Sequence, residues 1–305
     1  MTRNARGIAQ LVVLWALLLL GVLAMSFAFS MRTEAQAARN GLDAARAYFQ
    51  ARTGINRAIA ELSSAPLDNV LSREIAGEDG DASYVVDVQV ERGKIDVNFV
   101  SEPALKEVLR NGGLDADEAE AVGDSILSWR DAARAIRAHG ATDADYAALP
   151  DPVRPRYGKL RSVEELRSVR GVTPEFYRRC VGKVFTVDAR TPQVDISLAP
   201  AEVLRVLPGF TPEIVAEFLA RRREAPFRAP AELASFLGER NLSSALFGLG
   251  VVAGGAGVVT LTSTGRAGSG IVRVVRCAVE VGGAGRNTVK ILRWADHVPA
   301  SEEPG

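Results

Sequence analysis

The sequence predicts an α+β protein: a long N-terminal helix that begins as a membrane span, an antiparallel β-sheet that it packs on, and a large all-α insertion interrupting that sheet. Three observations predict it. Ile8 to Phe29 is almost wholly apolar behind a short basic segment. Strand-like alternation appears twice, near residues 83–99 and again near 257–294. Between those stretches the pattern is helical, with a recurring helix–glycine–helix form.

The apolar run is about 22 residues, or about 33 Å of helix, enough to cross a hydrocarbon core of roughly 30 Å. Gln10 and Ser26 are its only polar side chains, and both lie near its ends. Arg3 and Arg6 precede it, so the positive-inside rule leaves the short end in the cytoplasm and puts the bulk of the chain across the membrane. A secretory signal peptide is the competing reading, but its apolar core is usually about 7–15 residues and no small-x-small site closes this one before Met31. Apolar residues continue at three- and four-residue steps through Ala37, Ala38, Leu42, Ala45, Phe49, Ile55, Ile59 and Leu62. One membrane and amphipathic helix is therefore expected over 8–62.

Residues 63–100 are expected to hold the first part of the sheet. Ser63 to Gly80 reads as a loop, Ser83 to Val90 as a strand, and Arg92-Gly93 as the turn into a second strand, Ile95 to Phe99. Residues 247–305 are expected to hold the last part, with strands at Gly257 to Ser263, Gly270 to Val281 and Thr288 to Trp294. Gly265-Arg266-Ala267-Gly268 and Gly282-Gly283-Ala284-Gly285 read as the turns between them.

The middle, 101–246, reads as a helical insertion of the helix-hairpin-helix or SAM-like kind. Ser162 to Glu175, Ala199 to Glu213 and, more loosely, Glu107 to Glu118 each give a helix, a glycine, an apolar residue and a Thr or Asp cap. Pro174 and Pro212 follow the caps, where a missing N–H costs nothing. In nucleic-acid binders of this form the turn's N–H groups hold a phosphate with nearby cations. Arg221-Arg222-Arg223 and Arg228 would be those cations here. Against this, Glu202, Glu213, Glu217 and Glu224 share the region, and the three arginines also suit a helix C-terminus. A compact packing module is the better reading.

The 305-residue chain has 37 basic and 37 acidic residues, so no overall charge draws it to nucleic acid or acidic lipid. Cys180 and Cys277 lack metal-ligand spacing, and spacing leaves open whether they pair. His139 and His297 have no nucleophile beside them, and the glycine clusters at 254–257 and 282–285 do not match a phosphate loop. Trp129 is read as a core residue ahead of a partner anchor. No catalytic group emerges, and the chain is not read as an enzyme.

Arg6-Gly7-Ile8-Ala9 before an apolar run resembles the prepilin leader, cut between Gly7 and Ile8 so that 1–7 is removed. The chain more widely resembles the K-type minor pseudopilins of the type II secretion system. The resemblance is carried by that leader, Lys94 to Asn98, Asp124 to Asp131, His139-Gly140-Ala141, Ser162 to Leu166 and Leu207-Pro208-Gly209, in that order. It implies a pilin-like fold and a place at the pseudopilus tip beside the I- and J-type minor pseudopilins. It also implies dealings with the prepilin peptidase and the inner-membrane secretion platform, and a single-pass inner-membrane protein with most of its chain in the periplasm. Most pilins carry a glutamate where Val12 stands. A buried carboxylate needs a partner, and a tip subunit has no neighbour above to supply one, so Val12 suits a tip subunit.

The family further implies calcium, and here the chain departs from the pattern. Asp131 matches, but Ala133 and Thr142 stand where acids are expected, leaving Asp143 and Asp145 as partial compensation. The alternative function is a membrane-tethered helix-hairpin-helix DNA receptor of the competence type, against which the terminal strands and the charge balance argue. The expected result of co-expression with a prepilin peptidase is loss of Met1 to Gly7, leaving Ile8 as the N-terminal residue by intact mass. An uncut chain would favour the DNA receptor.

Overall fold

A computed structural model describes residues 3–71, 73–133, 137–225, 227, 230–242, 248–250, 257–268, 270–282 and 288–298. In chain order it contains α1 (Arg3–Ser64), α2 (Leu67–Leu71), β1 (Ile75–Asp79), β2 (Ala82–Val90), β3 (Ile95–Asp96), α3 (Glu102–Asn111), α4 (Ala116–Arg130) and α5 (Asp143–Ala147). A 3-10 helix (Val163–Ser168) precedes α6 (Pro174–Phe176), a π turn (Tyr177–Val181) and α7 (Gly182–Val184). There follow β4 (Phe185–Thr186), β5 (Gln193–Asp195), α8 (Ala201–Val206), α9 (Pro212–Glu224) and α10 (Pro230–Glu239). The last strands are β6 (Gly248–Gly250), β7 (Gly257–Ala267), β8 (Ile271–Val281) and β9 (Val289–Val298).

The predicted α+β class holds. Helix α1 is a rod of 62 residues, about 93 Å long. Its C-terminal half lies across a five-stranded antiparallel sheet of order β1-β2-β7-β8-β9. Ala47, Ala51, Ile55, Ala58 and Leu62 are fully buried at steps of three and four; Ala47 packs with Ala82 and Ala267, and the other four with Val86, Val259, Leu261, Val275, Cys277 and Val279. The approach is unusually close. A Cβ on Gly265 of β7 would stand 2.0 Å from the Ala47 carbonyl oxygen and 2.5 Å from the Ala51 nitrogen. Gly54 answers from the helix side, where a Cβ would stand 2.3 Å from Ser263 Oγ.

The insertion leaves the sheet after β2 and returns into β7, the strand beside it, with Val90 paired to Val259. The sheet therefore closes without it, and the insertion has a core of its own, from Ile95 through Phe185 to Leu237. Part of it is internally duplicated. β3-α3-α4 and β5-α8-α9 follow the same plan, opening on Ile95-Asp96-Val97 and Val194-Asp195-Ile196. In each unit a buried Asp accepts the N–H two residues on, Asn98 at 2.9 Å and Ser197 at 3.2 Å. In each, a glycine of positive φ turns the hairpin, Gly113 at 103° and Gly209 at 81°. The second helix is then capped by Asp115 or Thr211. The hairpin at 162–175 turns alike at Gly171 (φ 89°), with Thr173 capping, but its first helix is 3-10.

Three local expectations change. The stretch read as a loop contains α2 and the edge strand β1, whose Gly77-Glu78-Asp79 gives no apolar alternation; register with β2 orders it instead. Ile95 to Phe99 is no hairpin partner of β2. Its first two residues pair in parallel with β4, after which the Asp96 side chain draws the backbone into a turn. Gly265 is not a turn residue, since β7 runs on to Ala267. The expected turn at 282–285 lies outside the described residues beyond Gly282, as does most of the 254–257 cluster. Cys180 and Cys277 are free and buried in separate cores, so they do not pair.

Gly265→Ala is expected to lower stability by about 2–3 kcal/mol, because its methyl would overlap backbone that cannot rotate away. Gly41→Ala, whose Cβ would meet no atom within 4 Å, is expected to be neutral or slightly stabilising. Denaturant unfolding of the two variants checks the pair.

Candidate assembly interface

Helix α1 is the only described helix long and apolar enough to cross a membrane. From Leu11 to Phe29 it is exposed all round, and Val12 is 62% exposed. Gly7 and Ile8 lie within α1. Beyond the apolar run, Met31, Ala35, Ala38, Leu42, Ala45 and Phe49 continue at alternating steps of four and three, all exposed, with Leu42 at 54% and Phe49 at 60%. This stripe lies about 180° round the helix from Ala47 and Ala51, so α1 carries two apolar faces. One is spent on the sheet. The other has the roughly 3.5-residue repeat of a helix–helix seam, with alanines that permit close approach. Sequence periodicity registered the apolar positions without dividing them, because only the sheet tells one face from the other.

A cavity of about 860 Å³ separates the outer face of the sheet from the insertion, lined by Asp87, Thr262 and Arg276 on one side and Arg167, Tyr177 and Asp188 on the other. Arg293 of β9 pairs with Asp188 there, and Arg190 pairs with Glu280 at 3.1 Å. Burial raises the Asp188 and Asp87 carboxyl pKa values above the usual range, opposed chiefly by Arg293 and Lys94 respectively. These groups hold the insertion to the sheet and include no nucleophile paired with a base.

The motif residues prove to be structural. Asp124 Oδ2 accepts the His139 N–H at 3.1 Å, and Ser125 Oγ accepts that of Ala141 at 3.0 Å, fastening the His-Gly-Ala loop to α4. Trp129 is buried edge-on to Tyr146, with ring centroids 5.4 Å apart. Arg130 donates to the Val97 and Val100 carbonyls. Arg222 does the same in the duplicate unit, reaching Ser197 O at 3.1 Å and Ala199 O at 2.7 Å. Burial lowers the pKa of both guanidiniums. Arg221 donates to Ala225 O and lies 5.4 Å from the Phe227 ring, and Arg223 donates to Leu219 O. The arginine run thus closes a helix end, and Arg222 is turned inward, away from any phosphate. Arg228 and the His297 side chain lie outside the described residues.

The three candidate calcium ligands do not gather. Asp131 Oδ1 accepts the Ala133 N–H at 2.9 Å. Asp143 takes the Tyr157 hydroxyl. Asp145 caps α5 by accepting from Thr142 N and Oγ1 at 2.9 and 2.8 Å, and its other oxygen pairs with Arg170. Among the described residues no group of three or more His, Cys, Asp or Glu is arranged to hold a metal ion. The described carboxylates therefore do not fit an ion that wants about six to eight oxygens.

Residues 87–185 match the family model for the type II secretion system (T2SS), protein K. The type II secretion system protein K of Pectobacterium carotovorum subsp. carotovorum is 32% identical over 130 residues, 41% of this chain and 40% of that relative's length. A putative type II secretion system protein K of Escherichia coli (strain K12) is 23% identical over 221 residues, 65% of this chain and 67% of the relative. The fold is similar to that in the crystal structure of the GspK-GspI-GspJ complex from the enterotoxigenic Escherichia coli type 2 secretion system. The TM-score is 0.59 at 15% identity, covering 87% of this chain and 98% of the matched one.

Arg222→Lys is expected to cost about 2 kcal/mol, because one ammonium cannot replace a planar fork shared among several carbonyls. Arg223→Lys, exposed at a helix end, is expected to be nearly neutral, and thermal unfolding of the two variants checks the difference.

Proposed function

We propose that this chain, which belongs to the type II secretion system protein K family, is a minor pseudopilin at the tip of the secretion pseudopilus, where it starts or caps assembly. The observation that carries this reading is the second apolar face of α1. It runs from the exposed Leu11–Phe29 stretch outward to Phe49, while the sheet is served by the opposite face. A helix so built buries its free side against other helices, in the membrane and just beyond it.

Tip placement is supported by two features. Val12 puts no carboxylate in the apolar stretch, so the subunit needs no partner above it to neutralise one. The insertion adds a second, separately cored body beside the sheet, bulk that suits an end position better than a stacked shaft. The complex matched in fold joins GspK with GspI and GspJ, and I- and J-type subunits are the partners proposed here. The prepilin peptidase would cut between Gly7 and Ile8, and the inner-membrane platform would receive the processed helix. The inward-turned Arg222 removes support from the DNA-receptor alternative.

Val12→Glu is expected to leave secretion unchanged or to reduce it, since an unpaired carboxylate in the apolar run is costly, up to about 2.5–3.5 kcal/mol for one at the centre of a span. Export of a secreted reporter by cells carrying the variant measures this. A clear gain in secretion would place the subunit within the shaft.

A further inference from the structure

The carboxylates that do converge lie on the α3–α4 pair, around a lysine. Lys106 is only 9% exposed. Its ammonium meets Glu102 Oε1 at 2.8 Å, Glu120 Oε2 at 2.6 Å and Asp124 Oδ1 at 2.8 Å. Glu102 comes from α3, and Glu120 and Asp124 come from α4, so one cation ties the two helices together. Asp124 is itself 4% exposed, and its other oxygen holds the His139 N–H. Arg137 closes the group, pairing with Glu102 at 2.6 Å.

The helix pair is shaped for this side chain. Gly123 sits inside α4, where glycine costs about 1 kcal/mol against alanine. A Cβ there would stand 2.8 Å from Lys106 Cγ, so the glycine makes room for the lysine stem. Burial is the largest influence on the ammonium and pushes its pKa down. The hydrogen bonds to Asp124, Glu102 and Glu120 outweigh it, and the pKa is raised. Burial likewise raises that of Asp124, but Lys106 and the His139 N–H more than reverse the effect. Both groups are therefore charged at neutral pH.

A buried carboxylate such as Asp124 requires a compensating cation, and the half-exposed Glu102 and Glu120 converge on the same one. A divalent ion bound by oxygens is one solution, and an ammonium with three N–H donors is another. We infer that Lys106 is a built-in counter-cation for the α3–α4 pair and the 137–141 loop, so that the insertion holds its structure without a divalent metal. The inference rests on Lys106 and its partners and is independent of the place proposed for the chain in a filament.

The test is thermal unfolding of the full chain in detergent, in chelator and in excess calcium, for the wild type, Lys106→Met and Lys106→Met/Asp124→Asn. The wild-type midpoint is expected to be the same in chelator and in calcium. Lys106→Met is expected to fall by about 6 °C or more, the mark of a buried pair broken from one side. The double variant is expected to regain part of that loss, because the orphaned carboxylate is gone. A wild-type midpoint that drops in chelator and returns with calcium would overturn the inference, even if both variants failed to fold. So would a Lys106→Met chain that melts with the wild type, or a double variant that recovers nothing.

Discussion

The contact on which the rest of the structure depends is the one between the backbone of α1 and the strand β7. Gly265 has no side chain to hold the helix off, and Ala47 and Ala51 have only methyl groups. The helix therefore seats directly on the sheet with one face fully covered. Because α1 is continuous, that seating also sets the direction of its apolar N-terminal half. The exposed apolar stretch and the outward seam through Leu42 and Phe49 are presented at a defined angle to the sheet.

The insertion solves a different problem. It hangs from two neighbouring strands and cannot borrow the sheet's core, so it builds one from a repeated strand–helix–helix plan. The loops leaving β3 and β5 expose carbonyls that no ladder satisfies, and a buried unsatisfied carbonyl costs about 1–3 kcal/mol. Arg130 and Arg222 each return from the end of the second helix to satisfy them. Residues that look suited to binding are thereby used in folding. The arginine run ends a helix, Trp-Arg-Asp packs and caps, and His-Gly-Ala is strapped to α4 by Asp124 and Ser125.

Function then follows from which surfaces remain. The sheet consumes one face of α1, and the insertion answers its buried charges internally. Ion pairs such as Arg293 with Asp188 join the two bodies. What is left over is an exposed apolar helix face. Such a face fits the assembly role proposed for the chain.

Much of this was legible in the sequence because it depends on local chemistry. The apolar run from Ile8 to Phe29, interrupted only by Gln10 and Ser26, marks a candidate span, and Pro174 and Pro212 behind threonine caps mark helix starts. Glycines at 113, 171 and 209 mark the hairpins, since their positive φ is a property of each turn alone. The rest required partners far away in sequence. β1 is a strand because β2 lies beside it, and Ile95-Asp96 pairs with Phe185-Thr186 across the insertion. Gly265 reads as a turn residue until a helix is found resting on it. The division of α1 into a covered and a free face, and the gathering of Glu102, Glu120 and Asp124 around Lys106, likewise belong to tertiary structure. Local propensity, capping and hydrophobic length act over a few residues and can be read along the chain. Burial and charge pairing are decided by what folds against what.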